Sequence, residues 1–143
     1  MGQAGLVGTW KLVLLEFRSD GQVVYPVGRD ATGLLMYAGS GWMSQQLMRP
    51  GRPEFAAGDQ LRGSPEEIKT ALEGYLAYGG TYTVEEAHET VTHHVTTCLF
   101  PNWIGTDQKR FYKLSGNRLI ISTPTILVAG HLMDAMLIWE RMA

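Results

Sequence analysis

The chain has 143 residues, a formal net charge of −2 and a sequence pI near 6.1, so it offers no basic footprint for nucleic acid. No stretch approaches the apolar length of a membrane-spanning helix, which argues against a membrane partner, and the length suits a single domain over 1–143 with a core of its own. One cysteine, Cys98, excludes an internal disulfide, and 1–8 lacks the basic and apolar regions of a signal peptide, so a cytoplasmic protein is expected.

Runs of β-branched and aromatic residues bounded by Gly, Pro, Asn or Asp predict strands at 8–17, 33–38, 41–48, 77–85, 90–99, 107–114, 117–123 and 132–141. One short helix is expected near 65–76. It starts at Ser64-Pro65-Glu66-Glu67, where Ser64 is the N-cap, Pro65 sits at the first helical position and Glu67 closes a capping box. Ile68, Leu72, Tyr75 and Leu76 would form its apolar stripe. Leu132, Met133, Met136 and Trp139 also recur at helical spacing, so helix is the alternative for the last element.

The connections alternate in length. Those at 18–32, 49–76, 100–106 and 124–131 are long, whereas Gly39-Ser40, 86–89 and Ser115-Gly116 are hairpin turns. This alternation is what an eight-stranded antiparallel up-and-down barrel requires, with every tight turn at one end, every long loop at the other, and the helix in a long top connection.

Side chains alternate across a strand, so one residue fixes its neighbours. With Trp10 inward, Leu12, Leu14 and Glu16 are expected inside, and Val13, Leu15 and Phe17 outside. Placing Lys109 and Lys113 in water turns Arg110 and Tyr112 inward, and the next hairpin brings Leu119 and Ile121 with them. Tyr78 and Tyr82 face in on 77–85, and the 86–89 turn pairs Tyr82 with His93. His93 and His94 then point opposite ways, with Val91, Val95 and Leu99 sharing the His93 face and Cys98 the His94 face. Met133, Leu137 and Trp139 complete the interior, while strand 41–48 leaves Gln45 and Gln46 as alternative inward amides. With no H-x-H or H-E-x-x-H spacing and one Cys, no metal is expected. Outward Val13, Leu15, Phe17, Met136 and Ile138 raise the prospect of a homodimer.

Gly8-Thr9-Trp10 and Trp139-Glu140-Arg141, together with Gly28–Tyr37 (GRDATGLLMY), Met43–Pro53 (MSQQLMRPGRP) and Leu99–Gln108 (LFPNWIGTDQ), resemble the lipocalin-like family of the calycin superfamily over nearly the whole chain. The resemblance implies a closed barrel whose first-strand Trp10 plugs the floor beneath the cationic Arg141, a pairing that cation–π attraction would support.

Two functions suit such a cup. In the first, it binds a small apolar or aromatic ligand and catalyses a cofactor-independent isomerisation or cyclisation, a possibility the resemblance to biosynthetic lipocalin-like proteins implies. His93 would then shuttle a proton, Tyr82 or Tyr78 would polarise a carbonyl, and Glu16 or Arg110 would orient the histidine or stabilise charge. Leu14, Tyr78, Tyr112, Ile121, Met133, Leu137 and Trp103 would line the ligand site, with Trp103 in an apolar 100–104 segment that is either a lid over the open end or an exposed interaction patch. In the second, the protein carries the same class of ligand unchanged. A barrel filled by its own side chains, with Glu16, His93 and Arg110 satisfying one another, is the alternative to both. Arg49-Pro50-Gly51-Arg52-Pro53 could grip an anion at the mouth or simply be a solvated loop.

Overall fold

The computed structural model describes residues 5–142; residues 1–4 of the N-terminal segment read above, and Ala143, lie outside them. The strands are β1 (Gly8–Ser19), β2 (Gln22–Val24), β3 (Thr32–Tyr37), β4 (Trp42–Met48), β5 (Tyr75–Glu85), β6 (Thr90–Cys98), β7 (Asp107–Ser115), β8 (Arg118–Ser122), β9 (Ile126–Val128) and β10 (His131–Arg141), with the helix α1 (Pro65–Glu73) between β4 and β5. Neighbours pair antiparallel in the order β1-β3-β4-β5-β6-β7-β8-β10, and β10 returns to β1, giving a closed eight-stranded barrel to whose rim β2 and β9 add short ribbons. The last element is thus a strand, not the alternative helix. Its pairing from Trp10↔Arg141 to Arg18↔Asp134 removes the open edge that a helix would have left.

Tight connections lie at the Trp10 end, and the loops 49–64 and 99–106 lie at the other. α1 begins as its sequence dictates: Ser64 Oγ accepts from Glu67 N at 3.2 Å and Glu67 Oε1 accepts from Ser64 N at 2.8 Å. Glu67 Oε2 also accepts from Ala56 N, which ties the helix to the loop before it; these backbone donors hold the Glu67 carboxyl below its ordinary pKa. The helix ends at Glu73, three residues short of the expected stripe's end, because Tyr75 and Leu76 enter β5. Ile68 and Leu72 therefore remain about half exposed on the mouth side.

Two β-bulges change which residues face inward. On β1, Leu12 pairs with Trp139 and Leu14 with Ile138, so Val13 is an extra residue and every side chain after it changes face. Leu15 is buried and Phe17 packs on the core, whereas Leu14 and Glu16, expected inside, stand on the outer wall; Glu16 there pairs with Arg18 at 3.3 Å. The apolar outer wall is accordingly made by Val13, Leu14, Met136 and Ile138 and not by Leu15 and Phe17. On β6, Thr96 is the extra residue opposite Gly79-Gly80, which turns Cys98 toward the core and leaves Leu99 exposed. Close approach requires glycine at this bulge, since a Cβ on Gly80 would lie 1.9 Å from the His94 carbonyl oxygen.

Candidate functional site

The floor is sealed. Trp10 is fully buried, its indole N–H donates to the Leu6 carbonyl at 3.0 Å, and the Arg141 guanidinium stands 4.2 Å above its ring. Arg141 in turn donates to the carbonyls of Val7 at 2.8 Å and Gly5 at 2.9 Å, so the cation that caps the indole also fastens the incoming chain.

Above this floor, β3, β5 and β6 bring three rings together. His93, fully buried, has Nε2 at 2.6 Å from the Tyr37 hydroxyl and Nδ1 at 2.7 Å from the Tyr78 hydroxyl. Burial first, then the positive field of Arg110 and of His94, lower the His93 pKa to about 3, so the ring is neutral at physiological pH. Burial raises both tyrosines: Tyr37 goes well above its ordinary value with Tyr78 adding to the effect, while Arg110 partly offsets the rise at Tyr78.

A neutral imidazole carries its hydrogen on one nitrogen, so one of the two tyrosine hydroxyls donates to the ring and the other accepts from it. Arg110 lies beside this chain: its guanidinium donates to the Lys109 carbonyl at 3.0 Å, and its positive charge partly offsets the rise at Tyr78. The same guanidinium lies 5.8 Å from the Trp103 ring, which also packs edge-on to Tyr78 at 5.7 Å. Trp103, half-buried on the short turn Pro101–Trp103, thus roofs the polar column at the loop end.

The remaining candidates sort by face. Tyr112, Ile121, Met133 and Leu137 are buried on the inner wall, and Gln45, not Gln46, is the inward amide; Gln46 instead bonds the Tyr75 hydroxyl outside. Tyr82 is paired in register with His93, but its hydroxyl donates to the Ala38 carbonyl at 2.8 Å, toward the tight end. Glu16 lies outside the barrel and reaches none of the polar column. The group that sequence reasoning missed is Tyr37. Leu34, Leu35, Met36 and Tyr37 are all apolar or aromatic, so alternation gave that strand no face. The usable signal was the short hairpin after it, which pairs Tyr37 with Met43.

Arg49 donates to the Pro26 carbonyl, and Arg52 donates to the Ala71 carbonyl while stacking on Tyr75. These arginines fasten loops. Among the described residues, clefts of about 260–430 Å³ lie on the walls and rim, and His93 does not line these. The most apolar at the mouth, about 260 Å³, runs between α1 and the Trp103 segment, against Leu72, Leu76, Leu99 and Phe100.

A closed antiparallel barrel with an Arg-capped Trp floor and a polar column inside defines a calycin-type cup. The pattern of the lipocalin-like domain matches residues 7–142, and the chain belongs to that family. A curated relative in Aspergillus oryzae, the 4'-hydroxy-3'-methoxypropiophenone carrier protein ppsC, is 36% identical over 107 residues, covering 70% of this chain and 96% of the relative. No helix of the described residues is long and apolar enough to cross a membrane.

Proposed function

We propose that this protein carries a small aromatic molecule in its barrel and releases it unchanged. The observation that carries the reading is the state of His93. Both ring nitrogens are engaged by tyrosine hydroxyls, and its basicity is suppressed to a pKa of about 3. A general acid–base catalyst works best with a pKa near the operating pH. His93 at neutral pH neither holds a proton to give nor accepts one readily, which favours a fixed recognition element over a shuttle. Of the partners the isomerase or cyclase reading offered His93, Tyr82 and Glu16 point elsewhere, which leaves it Tyr78 and Arg110. Family membership and the carrier name of the fungal relative support the same conclusion.

The ligand would enter from the loop end, past the cleft against Leu72, Leu76 and Phe100, with the Trp103 ring giving way to it. Loops positioned by a rigid scaffold are where such adjustment occurs at least cost. The test is to titrate the protein with 4'-hydroxy-3'-methoxypropiophenone, measure affinity, and follow the ligand's mass and chromatographic retention over a long incubation. Saturable binding with the ligand recovered intact is the expected result. A product that forms with wild type and disappears with His93→Ala would replace the carrier by an acid–base enzyme.

A further inference from the structure

Among the described residues Arg110 is the only buried side chain that carries a fixed charge, at 5% exposure; no Asp or Glu is buried, and no carboxylate lies within 4.0 Å of it. A guanidinium has five N–H donors. One goes to the Lys109 carbonyl at 3.0 Å, and the guanidinium stands 5.8 Å from the centre of the Trp103 ring. Burying a cation without a counter-charge is costly, and a protein that keeps one holds a site where an anion is strongly favoured. The ring lying over this guanidinium shows that the compartment accepts a flat aromatic group beside the charge.

We infer that the cargo is an acidic phenol bound as its phenolate, with Arg110 donating to the phenolate oxygen and the ligand's ring taking the place over the guanidinium that Trp103 now fills. This rests on the carrier reading and names the chemistry of what is carried. A phenol para to a ketone fits, because the carbonyl delocalises the phenolate charge and makes the group more acidic than a tyrosine. The column beneath is arranged for the same purpose. Tyr78, His93 and Tyr37 are joined by hydrogen bonds, and burial favours the protonated hydroxyls and the neutral imidazole, so no group of that chain offers a competing negative charge.

The experiment compares 4'-hydroxy-3'-methoxypropiophenone with its 4'-methyl ether, which keeps the ring and ketone but cannot ionise. Wild type should prefer the phenol by about 10- to 100-fold, the range for a hydrogen bond to a charged partner. The bound phenol should show its phenolate absorption band at a pH about one to two units below the free compound's midpoint, since each tenfold preference for the ionised form moves that midpoint by one unit. Arg110→Met should erase the preference by weakening the phenol alone, and Arg110→Lys should restore part of it. Because the apo protein is relieved of an unpaired buried charge, Arg110→Met should fold at least as stably as wild type. If it does not fold, the two wild-type measurements decide the matter. Equal affinity for phenol and ether, with the bound phenol titrating at its free midpoint, overturns the phenolate inference and leaves the carrier standing. Failure of both compounds to bind overturns the two together.

Discussion

Two arginine–tryptophan pairs mark the two ends of this barrel, and they differ in every respect that decides whether an end is closed. At the floor, Arg141 lies 4.2 Å over a Trp10 with no exposed surface, and its donors are spent on the Val7 and Gly5 carbonyls. At the loop end, Arg110 lies 5.8 Å from a half-buried Trp103 held on a short turn, and no carboxylate answers its charge. The same two residue types make a plug where the first and last strands pair and, on the carrier reading, a cover that ligand displaces where the long loops meet. The difference lies in backbone context: strand ends fastened by sheet pairing against a loop fastened by few contacts.

The sharpest way to break the comparison is to remove each indole. Trp10→Ala should cost about 3–5 kcal/mol, the range for deleting a buried tryptophan, and Trp103→Ala about 1 kcal/mol or less, both read from denaturant midpoints. Similar losses would mean that the two ends are equally structural. Next in size, Arg141→Met should cost about 1.5–3 kcal/mol through its charged hydrogen bonds and speed amide exchange around Leu6, whereas Arg110→Met should not destabilise the apo protein. A large loss at Arg110 with none at Arg141 would invert the assignment.

A third expectation concerns pH. The folded pKa of His93, about 3, lies below the ordinary value of 6.5, so between these values the unfolded chain binds a proton that the folded chain refuses. Stability from this residue is complete above pH 6.5 and declines as pH falls toward 3, at a slope of up to about 1.4 kcal/mol per pH unit. His93→Gln, which cannot titrate, should flatten that part of the stability–pH curve. An unchanged slope would show that His93 is already protonated in the folded protein.

The sequence made the barrel legible because three independent signals agreed: alternating strands, alternating loop lengths and matching motifs at the two ends. It placed Tyr78, His93, Arg110 and Tyr112 inside because charged or turn residues fixed the face of their strands. It failed where an extra residue intervened. Val13 looks like any other strand residue, so nothing announced that Leu14 and Glu16 would be turned outward. The second bulge was more readable, since Gly79-Gly80 inside a strand is a known sign of close backbone approach. Losing Glu16 from the interior is what separates a self-satisfied Glu–His–Arg cluster from an arginine left without its counter-charge.

The central claim, that ligand enters the Trp103 end while the Trp10 floor stays shut, is tested most directly by following the indole N–H resonances in a nuclear magnetic resonance titration with 4'-hydroxy-3'-methoxypropiophenone. The account predicts a saturable shift of the Trp103 signal, an unmoved Trp10 signal, and ligand resonances that keep their identity at the end of the titration. A shift at Trp10 with Trp103 unmoved, or new product resonances, would contradict it.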